Sequence, residues 1–195
     1  MTDIKVTEEI GKGGWNGFIA AMHGQIWLAR DGKLLQGTIS SDVTTKEVGK
    51  GGWTGPIGAD GGFIYLAPNK KELRRGHVAP DVTTSEIGAG GWNGNIAVDS
   101  GFIYLAKDGK LRRGVTNGKD VTTHQIGNGG WDGKIAVSGE YIYLARGGDL
   151  FRGRISDNVT TELVGKGGWK GEITVDGGYI YLAKDGKLFR GPVNV

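Results

Sequence analysis

The sequence predicts an all-β chain folded as a five-bladed β-propeller, with four antiparallel strands in each blade. Three observations predict it. The motif GxGGWxG recurs five times, with tryptophans at Trp15, Trp53, Trp92, Trp131 and Trp169 and spacings of 38, 39, 39 and 38 residues. Between them lie short runs of β-branched and aromatic residues bounded by glycine turns, the signature of strands. No apolar period of 3.6 residues appears anywhere, so helices are not expected.

The units run 4–41, 42–80, 81–119, 120–157 and 158–195, and together they make a single domain over 1–195. A period in this range fits propellers, solenoids and arrays. Each unit opens with a VTTKEVG-like segment, Val43–Gly49 in the second, whose alternation and charge suit a partly exposed outer strand. The GGW loop follows, then a short apolar strand such as Ile96-Ala97-Val98. The next run, Phe63-Ile64-Tyr65-Leu66-Ala67 and its equivalents, is continuously apolar, as expected of a strand buried on both faces. Asp-Gly pairs at Asp31, Asp108 and Asp185 carry the type I′ hairpin signature. LRRG or LFRG supplies the last strand of the unit. Tight hairpins argue against a β-helix, and five units argue against a trefoil, whereas radial repetition of a four-stranded sheet gives a propeller.

The chain begins with a segment that should finish a blade and ends one strand short. Pairing of Val6–Gly11 with Leu188–Val195 therefore closes the ring and removes its open edge.

Composition narrows the function classes. The chain has 195 residues, a formal charge of +3, 39 glycines and no cysteine. That charge is small and its basic residues are spread over the repeats, so no nucleic-acid partner is expected. Without cysteine there is no disulfide or thiol chemistry. The N-terminus has no apolar signal-peptide core and no stretch is long enough to span a bilayer, so no membrane insertion is expected. The expectation is a monomer, cytoplasmic or exported by an unconventional route. His23, His77 and His124 occupy unrelated columns, and no metal-ligand spacing, nucleophile elbow or phosphate loop occurs. Neither a catalytic residue, a metal nor a cofactor is expected.

The repeated IGxGGW element, the short inner strand, the YLA-like strand, the KDGK turn and the basic residue near each unit's end resemble the five-bladed tachylectin propeller lectins. The resemblance covers all five units. It implies one site per blade for N-acetylated amino sugars of the GlcNAc or GalNAc type, with glycans on cell surfaces or glycoproteins as partners. The family's units are longer and carry a DNW-containing stretch; here Asp42-Val43-Thr44-Thr45 and its equivalents replace it.

Strand directions place the GGW loop and the DGK turn on the same face. The candidate sugar-binding groups are accordingly Gly13, Gly14 and Trp15; Gly51, Gly52 and Trp53; Gly90, Gly91 and Trp92; Gly129, Gly130 and Trp131; and Gly167, Gly168 and Trp169. Asp31, Asp108 and Asp185 join them as acceptors for sugar hydroxyls. An indole can stack on the C–H face of a pyranose, and glycine lets backbone groups approach a ligand closely. The competing reading makes each tryptophan a wedge between blades, since repetition alone explains its recurrence. By the same reasoning, the tyrosine of IYLA belongs to the core. Arg75, Arg113, Arg152 and Arg190 are expected to lie along blade surfaces with solvated heads. A protein-interaction or purely structural propeller is the alternative to a lectin.

Overall fold

The computed structural model describes residues 3–68 and 72–193. It contains five sheets, each of four antiparallel strands in simple up-and-down order. From the axis outward, blade 1 comprises Phe18–Met22, Gln25–Arg30, Gly32–Thr38 and Lys46–Trp53. Blade 2 comprises Ile57–Asp60, Phe63–Leu66, Leu73–His77 and Ser85–Gly88. In blade 3 the strands are Asn95–Asp99, Phe102–Lys107, Lys110–Val115 and His124–Gly127. Blade 4 follows with Lys134–Ser138, Tyr141–Arg146, Asp149–Arg154 and Glu162–Gly165. Blade 5 has Glu172–Asp176, Tyr179–Lys184 and Lys187–Pro192 from the C-terminus, and takes Glu8–Gly11 from the N-terminus. The five innermost strands pack side by side around the axis.

The clasp forms, over Glu8–Gly11 and not the whole of Val6–Gly11: Glu8 pairs with Arg190, Glu9 with Phe189 and Gly11 with Leu188. The end of the predicted partner strand, Asn194 and Val195, lies outside the described residues.

The outer strand is shorter than expected. Val43-Thr44-Thr45 and its equivalents are not strand; pairing begins only at Lys46, Ser85, His124 and Glu162. The reason is a bond in another direction. The Val43 N–H donates to the Ile10 carbonyl of the preceding blade at 2.6 Å, and Val82, Val121 and Val159 do the same to Val48, Ile87 and Ile126. Ile4 N–H completes the circle on the Val164 carbonyl at 2.7 Å. The next carbonyl, Thr44 in blade 1, lies so close to Gly37 that a Cβ there would overlap it, and the relation recurs at Gly76, Gly114, Gly153 and Gly191. The VTT segments thus form a peripheral belt of blade-to-blade hydrogen bonds, which satisfies backbone donors that a strand assignment would have paired within the blade.

Apolar burial is concentrated between blades. Five clusters of buried side chains occur, one at each interface, and each contains one GGW tryptophan. Trp92, for example, packs between Leu73 and Ile87 of blade 2 and Ile96 and Leu105 of blade 3. All five indoles are only 3–4 % exposed. Ile64, Tyr65 and Leu66 are buried in succession, as a strand covered on both faces requires. No helix among the described residues is long and apolar enough to cross a membrane.

On the opposite face, carboxylates tie neighbouring blades. Asp176 accepts from the N–H groups of His23 and Gly24, Asp60 from Gly101 and Asp99 from Gly139.

Removal of one wedge should be felt by the whole ring. Trp92→Ala leaves a cavity at the interface of blades 2 and 3 and should cost about 3–5 kcal/mol, measured as a lower denaturant midpoint with an unchanged slope. Loss of under ~1 kcal/mol would show that the indole is not a principal contact between these blades.

Candidate functional site

The GGW loop leaves the outer strand of one blade, folds over that blade's middle hairpin and enters the innermost strand of the next. Its geometry explains each glycine. Both glycines before the tryptophan are left-handed, with φ between 64° and 84° in every copy, a conformation open to glycine at little cost. The first glycine of the motif seats the indole: a Cβ on Gly88 would collide with Nε1 of Trp92, and the other four copies repeat this. The last one crosses a neighbouring strand, so a Cβ on Gly94 would overlap the Ala106 carbonyl. The loop is pinned where the N–H of Trp15, Trp131 and Trp169 donates to the hairpin carbonyls of Gly186, Gly109 and Gly148 at 3.0–3.2 Å. The GGW loop and the hairpin therefore share one face, as strand counting required.

A cavity lies beside this loop, against the following blade, at three interfaces. Between blades 1 and 2 it measures about 440 Å³ and is bordered by Gly51, Gly52 and Trp53 with Pro68, Arg74 and Thr84. Between blades 2 and 3 it measures about 430 Å³, where Gly90, Gly91 and Trp92 face Lys107, Asp108 and Arg112. Between blades 4 and 5 it reaches about 600 Å³, and Gly167, Gly168 and Trp169 face Asp185, Lys187 and Phe189. The tryptophans present little surface here, because they are almost wholly buried in the core.

The other two interfaces differ. Arg30 and Arg146 each extend the guanidinium to the carbonyl of the second loop glycine, Gly14 and Gly130. The Cα faces of those glycines are covered by the arginines, whereas nothing stands over Gly52, Gly91 or Gly168. The structure thus joins Gly90, Gly91 and Trp92 with Asp108, and Gly167, Gly168 and Trp169 with Asp185. Beside Gly13, Gly14 and Trp15, the expected acceptor Asp31 is paired instead with Arg30 at 3.3 Å. Gly129, Gly130 and Trp131 have no aspartate in the turn opposite, which is Gly147-Gly148. The turn opposite Gly51, Gly52 and Trp53 contains residues 69–71, outside the described residues.

The three aspartates also have a backbone role. Asp31, Asp108 and Asp185 sit at φ of 51–53° ahead of a left-handed glycine, the type I′ geometry that an Asp-Gly pair favours.

The arginines expected to be solvated are not. Arg75, Arg113, Arg152 and Arg190 stack over Phe63, Phe102, Tyr141 and Tyr179, with Cζ 4.8–5.2 Å from the ring centroid. Each sits opposite the residue two beyond that aromatic in the antiparallel register, as in the Tyr104–Arg113 pair, so the guanidinium reaches the ring diagonally.

A second polar centre surrounds the mouth of the central channel on the GGW face. Position one of the innermost strands holds Phe18, Asn95, Lys134 and Glu172 in four blades. Lys134 Nζ lies 2.5 Å from Glu172 Oε1, donates to Asn95 Oδ1 at 3.2 Å and stands 5.3 Å from the Phe18 ring centroid. Burial pushes the Glu172 carboxyl above its ordinary range, against the opposing pull of Lys134. A cavity of about 650 Å³ opens above Phe18, Lys134 and Glu172 and extends to Asp132, Arg146 and Lys170. This cluster was not legible as a site, because its members share a column in which no residue repeats.

Comparison with known proteins places the fold and little else. The LVIVD repeat family matches residues 129–151. No curated protein matches the chain. Among solved structures, the glutaminyl cyclase of Myxococcus xanthus aligns with a TM-score of 0.64 at 13% identity, covering 98% of this chain and 97% of that one. The nidogen/laminin complex contributes a chain with a TM-score of 0.55 at 11% identity, covering 89% and 71%. PorZ of Porphyromonas gingivalis gives 0.52 at 10% identity, covering 89% of this chain and 24% of that one. The chain is a five-bladed propeller.

The central cluster has a pH signature. Because the folded state raises the Glu172 pKa above 4.5, the folded protein holds this proton more tightly than the unfolded chain. The resulting stability is fully present below the unfolded value and is lost as pH rises through the folded one. Wild type should therefore gain stability relative to Glu172→Gln as pH falls from neutral to about 4, read by urea melts at both pH values. A difference that does not change with pH would exclude a raised carboxyl at this position.

Proposed function

We propose that this protein is a multivalent lectin for N-acetylated amino sugars displayed on cell surfaces or glycoproteins. The observation that carries the reading is the recurrent cavity beside the GGW loop, on one face, in chemically related form at three blade interfaces. The resemblance to tachylectin propellers rests on the same loop. The pockets suit a small polar ligand. Open glycine faces give access to the backbone, threonines of the VTT belt offer hydroxyls, and Asp108 and Asp185 accept hydrogen bonds at the rim. The indole is almost wholly buried and leaves little stacking area. Single-site affinity should accordingly be weak.

Neighbouring sites on adjacent blades would lie roughly 15–20 Å apart, given four strands at ~4.8 Å spacing. Dense glycans could engage several, raising apparent affinity by ~10²–10⁴. Calorimetry with a short amino-sugar oligomer is expected to give a stoichiometry of three, and Arg146→Ala, which uncovers Gly130, to add a fourth site. On surfaces of decreasing glycan density the apparent affinity should fall steeply. Constant affinity at all densities, or a stoichiometry of one, is incompatible with this reading.

A second reading is catalytic and is favoured by Glu172, a buried carboxyl whose pKa burial raises, beside Lys134 under a cavity of about 650 Å³. The glutaminyl cyclase that shares the fold names the substrate class to try, a glutaminyl compound. Turnover by wild type and its loss in Glu172→Gln would establish this reading; no turnover in either would dismiss it.

A further inference from the structure

We infer that the pocket between blades 2 and 3 accepts an anionic saccharide, holding its sulfate ester or carboxylate on Arg112 with Lys107 and Lys110 alongside. This rests on the saccharide reading above and adds, at one of its three sites, an acidic substituent of the sugar that the other two do not select.

The repeats provide their own controls. The residue after leucine in each LxRG strand is Leu35, Arg74, Arg112, Phe151 or Phe189, so a guanidinium enters this column only in blades 2 and 3. Arg112 is held at two points. Its Nε donates to Thr123 Oγ1 at 2.9 Å and its Nη2 to the Thr123 carbonyl at 2.8 Å. A planar fork fixed in this way loses little further freedom when it meets an oxyanion. Arg74 is docked identically on Thr84, but its Nη1 also donates to Glu72 Oε1 at 3.0 Å. The position equivalent to Glu72 in blade 3 is Lys110. One arginine is thus compensated and the other reinforced.

The lysine makes the same point from another column. In blades 1 and 5 the equivalents of Lys110 are Lys33 and Lys187, each paired with a carboxylate of the outer strand at 2.9 Å, Glu47 and Glu9. Blade 3 has Gln125 at that place, and Gln125 turns its amide to Asn128. Lys107 adds a third cation, where the pocket between blades 1 and 2 has Pro68. Its Nζ donates to the Gly91 carbonyl at 3.1 Å, on the wall of the same cavity. Three cations therefore converge against one carboxylate, Asp108, which is exposed on the hairpin turn.

The pocket between blades 4 and 5 is also rich in lysine, but Lys184 and Lys187 each stand beside a carboxylate. Its remaining lysines, Lys5 and Lys166, are flexible point charges, and its floor carries Phe189 with Ile4 and Val6 in place of a fixed guanidinium. Such charges steer a ligand more than they select one.

The test compares three immobilised probes: a sulfated oligosaccharide, an unsulfated uronic-acid oligosaccharide and a neutral N-acetylhexosamine oligomer. Arg112→Phe installs the residue that blades 4 and 5 already carry, so the fold should tolerate it. It is expected to weaken binding of at least one anionic probe roughly tenfold to a hundredfold, as loss of a charge-assisted hydrogen bond does, and to leave the neutral probe unchanged. Lys110→Glu copies the compensation of blade 2 and should act in the same direction. The probe that responds distinguishes sulfate from carboxylate. Anionic binding that survives both substitutions, or neutral binding with no anionic binding at all, overturns the inference while sparing the lectin reading. Anionic binding through Arg112 without any neutral binding supports the inference and removes the amino-sugar assignment.

Discussion

Everything in this molecule depends on an indole packed hard against a glycine. At each blade interface one tryptophan crosses the first glycine of its own motif and fills the space between two sheets. The contact works only if the chain can turn sharply just before it, hence the pair of left-handed glycines, and can pass beneath a neighbouring carbonyl just after it, hence the final glycine. A blade buries little apolar surface alone, so five such wedges around a closed ring supply the core. Closure is then a matter of backbone bonding: the clasp by Glu8–Gly11 and the belt of VTT amides leave each blade joined to both neighbours.

That constraint separates what the sequence could and could not disclose. The fold was legible because it is written five times in glycine, tryptophan and Asp-Gly turns, each tied to a local backbone requirement. The boundary of the outer strand was not, since Val43-Thr44-Thr45 has strand propensity and only its hydrogen bond to the preceding blade takes it elsewhere. Propensity is silent about a partner 33 residues away in sequence, such as Ile10 for Val43. The four stacked arginines were misjudged for a related reason: an arginine in a single strand looks solvated until the antiparallel register sets an aromatic diagonally across from it.

The candidate site was half legible. Counting strand directions brought the GGW loop and the hairpin turn to the same face, and the cavities lie where that argument put them. One site per blade was what the resemblance implied, and residues outside the motif make the five loops unequal. Arg30 and Arg146 differ from Lys107 and Lys184 by a change that a sequence comparison calls conservative. A guanidinium reaches and covers the loop glycine, and an ammonium leaves the glycine face open. The central cluster was missed outright, because Asn95, Lys134 and Glu172 meet only across blade interfaces and share a column in which no residue repeats.

The division of labour follows from the geometry. Columns that set the wedge admit one residue type, so they carry architecture and can carry only a shared, generic part of binding. Columns that line the cavities without touching the wedge are free to differ. The residue after Leu in LxRG is apolar in three blades and arginine in two, yet each variant leaves the peripheral belt and the indole seat intact. The same holds at the channel mouth, where phenylalanine, asparagine, lysine and glutamate occupy equivalent positions. A substitution in such a column changes one blade interface and leaves the others as they are. A fold this repetitive is therefore well suited to acquiring unequal sites, and chemical individuality should be sought where the repeats disagree.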